Sequence, residues 1–198
     1  MGTSRALPMP TMKALITYLT FALLLLDHHA VAKPRQEIIV STANQRMYFY
    51  EDGIRRATYP VSTSKFGIGS GNRSFRTPAG LLQIEKKVGG RMQEGTVFKA
   101  LRPTGEILAP NTPGRDPIVT RVLCLGGMEA GNRNAGARCI YIHGTPQERL
   151  IGRPASYGCI RMKSRDIVRL FERVDLGALV LVTPEPVRST LVGVSYSR

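Results

Sequence analysis

Apolar positions recur with a period of two through most of the first two thirds of the chain. Residues 37–42, 46–50, 57–63, 80–87, 96–100 and 117–125 are alternating or β-branched runs bounded by turn residues. That pattern predicts half-buried strands. Asp52-Gly53, between two such runs, predicts a tight hairpin and an antiparallel front to the domain. One segment has helical spacing instead. Ile167, Val168, Leu170, Phe171 and Val174 fall on one face, with Ser164 as N-cap, Asp166 in the first turn and Gly177 as the stop. Residues 178–183 (ALVLVT) then form a buried strand. The expected fold is mainly β, with one principal α-helix.

The start of the chain reads as an address. Arg5 and Lys13 precede an apolar run from Ala14 to Leu26, and Ala30-Val31-Ala32 is an A-x-A cleavage site. The apolar core is shorter than the roughly 20 residues a spanning helix needs, so residues 1–32 are expected to be a signal peptide. A membrane role would then require an uncleaved leader. Residues 33–183 are expected to form one domain, and 184–198 a tail. The net charge is +14, and the leader removes only two cations and one acid. An exported basic chain points away from nucleic acid and toward anionic envelope material, in the periplasm or cell envelope.

Two loops interrupt the strand pattern. Residues 64–76 (SKFGIGSGNRSFR) are rich in Gly, Ser and basic side chains, and their glycine spacing lacks the strand-to-helix context of a phosphate loop. Residues 102–116 carry three prolines and two glycines and can overhang a cleft.

The chemistry concentrates at two places. Removal of the leader takes His28 and His29, leaving His143 as the single histidine. In the sequence CIYIHGT, strand alternation puts Ile140 and Ile142 on one face, with Cys139, Tyr141 and His143 on the other. Gly144 keeps the adjoining backbone open. Sixteen residues after His143 comes Cys159, in Ser156-Tyr157-Gly158-Cys159-Ile160-Arg161-Met162. Gly158 removes side-chain bulk beside the thiol and leaves backbone N–H groups available to an oxyanion. A thiol nucleophile needs a base or a positive neighbour, and His143 is the ordinary candidate. Three cysteines and one histidine also allow a zinc site, although the spacing lacks a C-x2-C knuckle. A buried structural cysteine beside a merely hydrogen-bonded histidine is the remaining alternative.

His143-Gly144-Thr145 followed by Ser-x-Gly-Cys at 156–159 resembles the signature of the L,D-transpeptidase catalytic domain (YkuD-type). Val61-Ser62-Thr63-Ser64 and Arg76-Thr77-Pro78-Ala79-Gly80 are similar to that family's earlier turns, so the resemblance covers about residues 37–183. It implies a β-sandwich with one helix after the catalytic cysteine, and no cofactor or metal. It also implies that Cys159 attacks a peptidoglycan stem peptide to form a thioester, which an amine acceptor resolves. The acceptor can be another stem peptide or an envelope protein. The Gly144 carbonyl would orient His143, and the N–H groups of Gly158 and Cys159 would hold the oxyanion. Tyr141, Ser156, Tyr157 and Arg161 are the substrate-facing candidates; of these, Ser156 reads as fixing the turn, and Arg161 as binding a carboxylate or holding backbone. Tyr157 occupies a position where many members carry a second histidine. L,D-carboxypeptidase activity and non-catalytic wall binding are the rival functions. A papain-like protease has the opposite chain order. Cys124 and Cys139 flank the loop 126–138 at the inner ends of two strands, which allows a disulfide in an oxidising compartment.

Overall fold

The computed structural model describes residues 35–187. The expected signal peptide and most of the expected tail lie outside them. Ten strands form a single branched sheet. β1 (Gln36–Ser41), β2 (Arg46–Glu51) and β3 (Ile54–Pro60) are an antiparallel meander, and Asp52-Gly53 turns β2 into β3 with φ of 50° and 75°. β4 (Gly80–Val88), β5 (Thr96–Lys99), β6 (Arg102–Ile107), β7 (Ile118–Gly127), β8 (Tyr141–Gly144), β9 (Ile160–Met162) and β10 (Leu179–Thr183) complete the sheet, and α1 (Ser164–Arg173) is the one α-helix among the described residues. The main path runs β3-β2-β1-β10-β4-β7-β5-β6. β10 closes the chain back onto its start, pairing parallel to β1 and antiparallel to β4.

β7 is the hub. It pairs with β4 and β5 along its length and with β8 as well, and β8 pairs in parallel with β9. Both faces of a strand so surrounded are covered, which explains its long run of buried residues. Phe49, Ile38, Leu82 and Ile84 from one part of the sheet share a core with Leu123, Leu125, Ile142 and Ile160 from the other. Ile167, Leu170 and Phe171 of α1 join them, as the helical period requires. Each such side chain contributes about 1.5–3 kcal/mol when fully buried, so the β7-β8-β9 branch that carries the site is anchored by the largest core of the domain.

The structure revises several boundaries. The run expected as a strand over 57–63 leaves the ladder at Pro60, and Ser62 and Ser64 instead bridge to Arg161 and Ser156. β6 lies within the stretch expected to be loop. Ser164 is the first helical residue rather than the cap: Lys163 holds the cap position without a side-chain bond, and Glu148 Oε1 accepts the Ser164 N–H at 2.8 Å. The helix stops at Arg173, before Gly177. Residues 184–187 pack rather than trail away. Ser41 Oγ donates to the Glu185 carbonyl at 2.7 Å, and Val187 is buried with Ile39, Tyr48 and Tyr50 on the outer face of the meander.

Candidate active site

Parallel pairing of β8 and β9 sets the site. His143 lies opposite Arg161 in the register, and Cys159 is the residue just ahead of β9. His143 and Cys159 therefore line one cavity of about 150 Å³, together with Asp116, Ile118, Ser156, Tyr157 and Arg161. Position 144 has no room for a side chain, because a Cβ there would lie 2.6 Å from the Val119 carbonyl of β7.

His143 Nδ1 lies 2.8 Å from the Gly144 carbonyl oxygen. A carbonyl can only accept, so Nδ1 carries the proton and the lone pair of the neutral ring is on Nε2. His143 is buried, and burial pushes its pKa down to about 4. Arg161 acts in the same direction, while the Gly144 carbonyl and Asp116 oppose it. The ring is thus a neutral base at physiological pH. One consequence is measurable. The unfolded chain binds this proton near pH 6.5 and the folded ring only near pH 4, so stability is complete above the first value and declines as pH falls toward the second. The decline should reach about 3 kcal/mol from this group. Thermal melts of the wild type and of His143→Gln from neutral to acid pH should converge as the pH drops.

The Cys159 thiol donates to the Cys139 carbonyl at 3.3 Å. Burial pushes its pKa up to about 11, against the pull of the Tyr141 backbone, Arg138 and Arg161. The resting pair is a thiol and a neutral imidazole, so the nucleophile needs proton removal at the moment of attack. Gly158, at φ 124°, adopts a conformation that side-chain-bearing residues rarely reach. Ser156 Oγ closes the turn, donating to the Cys159 carbonyl at 2.6 Å and accepting the Gly158 N–H at 3.2 Å. Of the two N–H groups expected to face an oxyanion, that of Gly158 is committed to this turn. That of Cys159 has no partner among the described residues.

The remaining candidates divide. Arg161 is 4% exposed and forms an ion pair with Asp116, while Nη2 donates to Ser62 Oγ at 2.9 Å. It ties the loop at Asp116 to the Ser62 side chain, and Asp116 balances its charge. Tyr157 is 61% exposed at the rim, where it touches Phe66 and Phe75 and accepts a 2.9 Å bond from Lys65 Nζ. Tyr141 does not line the cavity. It is opposite Cys124 in the ladder, and burial beside Cys139 raises the pKa of its hydroxyl. Cys124, Cys139 and Cys159 are all free in this structure, where the anticipated Cys124–Cys139 pairing is not present. The register puts Tyr141, not Cys139, across from Cys124, and Cys139 leaves the ladder with φ 55°. No group of three His, Cys, Asp or Glu side chains among the described residues is placed to hold a metal.

Asp116 was not singled out by its sequence. Its carboxylate accepts from Thr145 Oγ1 and pairs with Arg161, and its charge acts on His143. The only signal was its place in the Pro- and Gly-rich loop 102–116, whose far end does border the cavity.

A buried neutral histidine and a thiol thus share one cavity at the hub of the sheet. The family model of the L,D-transpeptidase catalytic domain (YkuD) matches residues 35–182, and the chain belongs to this family. The probable L,D-transpeptidase YbiS of Escherichia coli (strain K12) is 32% identical over 158 residues, covering 77% of this chain and 46% of that protein. The probable L,D-transpeptidase ErfK/SrfK of Salmonella typhimurium is 29% identical over 167 residues, covering 78% and 46%. The chain thus spans about half the length of the curated relatives it matches. Among solved structures, an L,D-transpeptidase from Mycobacterium tuberculosis H37Rv has TM-score 0.50 at 17% identity, covering 76% of this chain and 58% of that one. L,D-transpeptidase 3 from M. tuberculosis, in complex with a faropenem-derived adduct, has TM-score 0.50 at 17% identity, covering 75% and 60%. Both are similar in fold.

Proposed function

We propose that this chain is an L,D-transpeptidase that acts on peptidoglycan stem peptides through a Cys159 thioester. The observation that carries the reading is the His143 ring, tied through Nδ1 to the Gly144 carbonyl, in one cavity with the Cys159 thiol. Rotation about the Cys159 Cα–Cβ bond turns Sγ from the Cys139 carbonyl toward Nε2. Sγ attacks the carbonyl carbon ahead of a D-amino acid, and its proton passes to Nε2. The Cys159 N–H receives the oxyanion. Collapse breaks the C–N bond, the departing amine takes the proton from Nε2, and a thioester remains. An acceptor amine, from a second stem peptide or an envelope protein, attacks the thioester and gives its proton to Nε2 as the thiolate leaves.

The apolar leader read in residues 1–32 and the net charge of +14 support export to the periplasm or envelope, with residues 33–183 as the catalytic domain. Incubation with a disaccharide-tetrapeptide muropeptide tests the reaction. Mass spectrometry should find a crosslinked dimer and released D-alanine together. D-alanine release without a dimer would replace transfer by hydrolysis and make the chain an L,D-carboxypeptidase.

A further inference from the structure

The ladder between β7 and β8 is interrupted beside the histidine. Leu125 N–H donates to the Ile140 carbonyl at 3.1 Å, and from there the register runs unbroken through Leu123 opposite Ile142 to Val122 opposite His143. Hydrogen-bonded pairs alternate along an antiparallel ladder, so the next such pair would join Arg121 to Gly144. Val119 faces Gly144 instead. Thr120 and Arg121 therefore form a bulge directly across from the residue whose carbonyl orients His143.

Thr120 sits at φ 73°, in the left-handed region that a β-branched residue seldom enters. Bonds on every side hold it there. Its Oγ1 accepts the Gly95 N–H at 3.0 Å and lies 2.7 Å from the hydroxyl of Ser164, the first residue of α1. Its carbonyl accepts from Arg121 Nη1 at 2.6 Å. The buried bulge is thus clamped to the segment before β5 and to the start of the helix. Gly144 packs directly against it: a Cβ at 144 would lie 2.6 Å from the Val119 carbonyl, 3.1 Å from Thr120 Cβ and 3.2 Å from Ile167 Cγ2. Strain of this kind persists only where the surroundings over-determine it, and a bulge beside an active site re-aims the group it faces. The group faced here is the Gly144 peptide.

We propose that Thr120 is a positioning residue for the proton transfer, its clamped bulge holding the Gly144 carbonyl where it accepts from His143 Nδ1. The assignment rests on His143 as the base of the acyl transfer. Thr120 itself touches no reacting atom. Without its hydroxyl the bulge loses its ties to Gly95 and Ser164, Thr120 is free to leave the left-handed region, and the Gly144 peptide packed on it shifts with it. A displaced carbonyl no longer fixes the proton on Nδ1, and the neutral ring takes up both tautomers. Nε2 then carries a lone pair in only part of the population.

Thr120→Val keeps the volume and the branching and removes the hydroxyl, Thr120→Ser keeps the hydroxyl, and Ser164→Ala cuts the tie from the helix side. Heteronuclear NMR at neutral pH reads the His143 ring nitrogens directly, with their signals identified by their loss in His143→Gln. The unsubstituted ring should be protonated on Nδ1, and Thr120→Val should add a clear Nε2-protonated population. The kcat for D-alanine release from a stem tetrapeptide should fall roughly 10- to 100-fold in Thr120→Val, with KM changed by less than about twofold, and Thr120→Ser should restore both readings. A folded Thr120→Val with the wild-type tautomer and kcat, whatever its Tm, would overturn the proposal, as would an equal loss in Thr120→Ser. Should Thr120→Val fail to fold, the same two readings on Ser164→Ala decide, with wild-type values counting against the proposal. Absence of turnover by the unsubstituted protein would remove the acyl-transfer reading, while the tautomer comparison would still judge Thr120.

Discussion

Substitution of His143 by glutamine lowers kcat/KM for a stem peptide by about 10²–10⁴-fold, the usual contribution of a positioned general base. The size follows from the resting protonation states. With the thiol pKa pushed up to about 11, little thiolate exists at neutral pH, and each attack requires a base at the sulfur. In the proposed mechanism Nε2 is that base, because the Gly144 carbonyl fixes the proton on Nδ1. Glutamine fills similar space and has no basic nitrogen. The fold should survive the change, since the ring is hydrogen-bonded to the neighbouring residue's own backbone. Steady-state kinetics paired with a thermal melt at neutral pH separates the two effects. A loss smaller than tenfold in a folded variant would remove His143 from the proton transfer.

Asp116→Asn carries the second largest effect, and it is on stability as well as rate. The Arg161 side chain is 5% exposed and its partner Asp116 31%. Removing the carboxylate charge leaves a buried guanidinium without compensation, for which breaking a buried pair costs about 3–5 kcal/mol. Partial exposure of Asp116 places the expected loss near the lower end, about 3 kcal/mol, or a Tm drop of about 6–12 °C for a domain of this size. Activity should fall too, because Asp116 anchors Thr145 next to the histidine segment and raises the basicity of His143. The double variant Asp116→Asn/Arg161→Met should recover much of the stability and none of the activity. Equal melting temperatures for wild type and Asp116→Asn would show that the pair is not buried in the sense that matters.

The parts of this architecture legible in the sequence are those whose causes are local. β1 and β2 are short β-branched or aromatic runs, Asp52-Gly53 favours a tight turn between strands, and α1 has an apolar stripe. His143 and Cys159 stood out as candidates because Gly144 and Gly158 mark them and no other histidine lies beyond residue 29. What was hidden depends on partners far along the chain. β6 (RPTGEI) contains Pro and Gly and is almost wholly exposed, so it has no alternation to read, and pairing with β5 alone makes it a strand. β9 is three residues long, and its place is set by β8. Glu148 caps α1 from a separate 3-10 turn, which is why Ser164 could not be told from a cap. Asp116 gains its meaning from Arg161, 45 residues later. Cys139 falls out of register with Cys124 because the ladder ends at Tyr141.

The same logic makes a sharp distinction between two thiols. Cys139 is exposed and Cys159 is half-buried, so simple accessibility favours Cys139. The proposed acylation instead requires Nε2, and Cys159 is the cysteine that shares a cavity with His143. Faropenem, whose strained β-lactam carbonyl acylates an activated nucleophile, supplies a suitable probe. Intact-mass measurement after exposure to faropenem, followed by peptide mapping, should find one adduct per chain, on Cys159, absent from Cys159→Ala and strongly slowed in His143→Gln. An adduct on Cys139 or Cys124, or no adduct on the folded unsubstituted protein, would contradict Cys159 as the acyl-forming nucleophile.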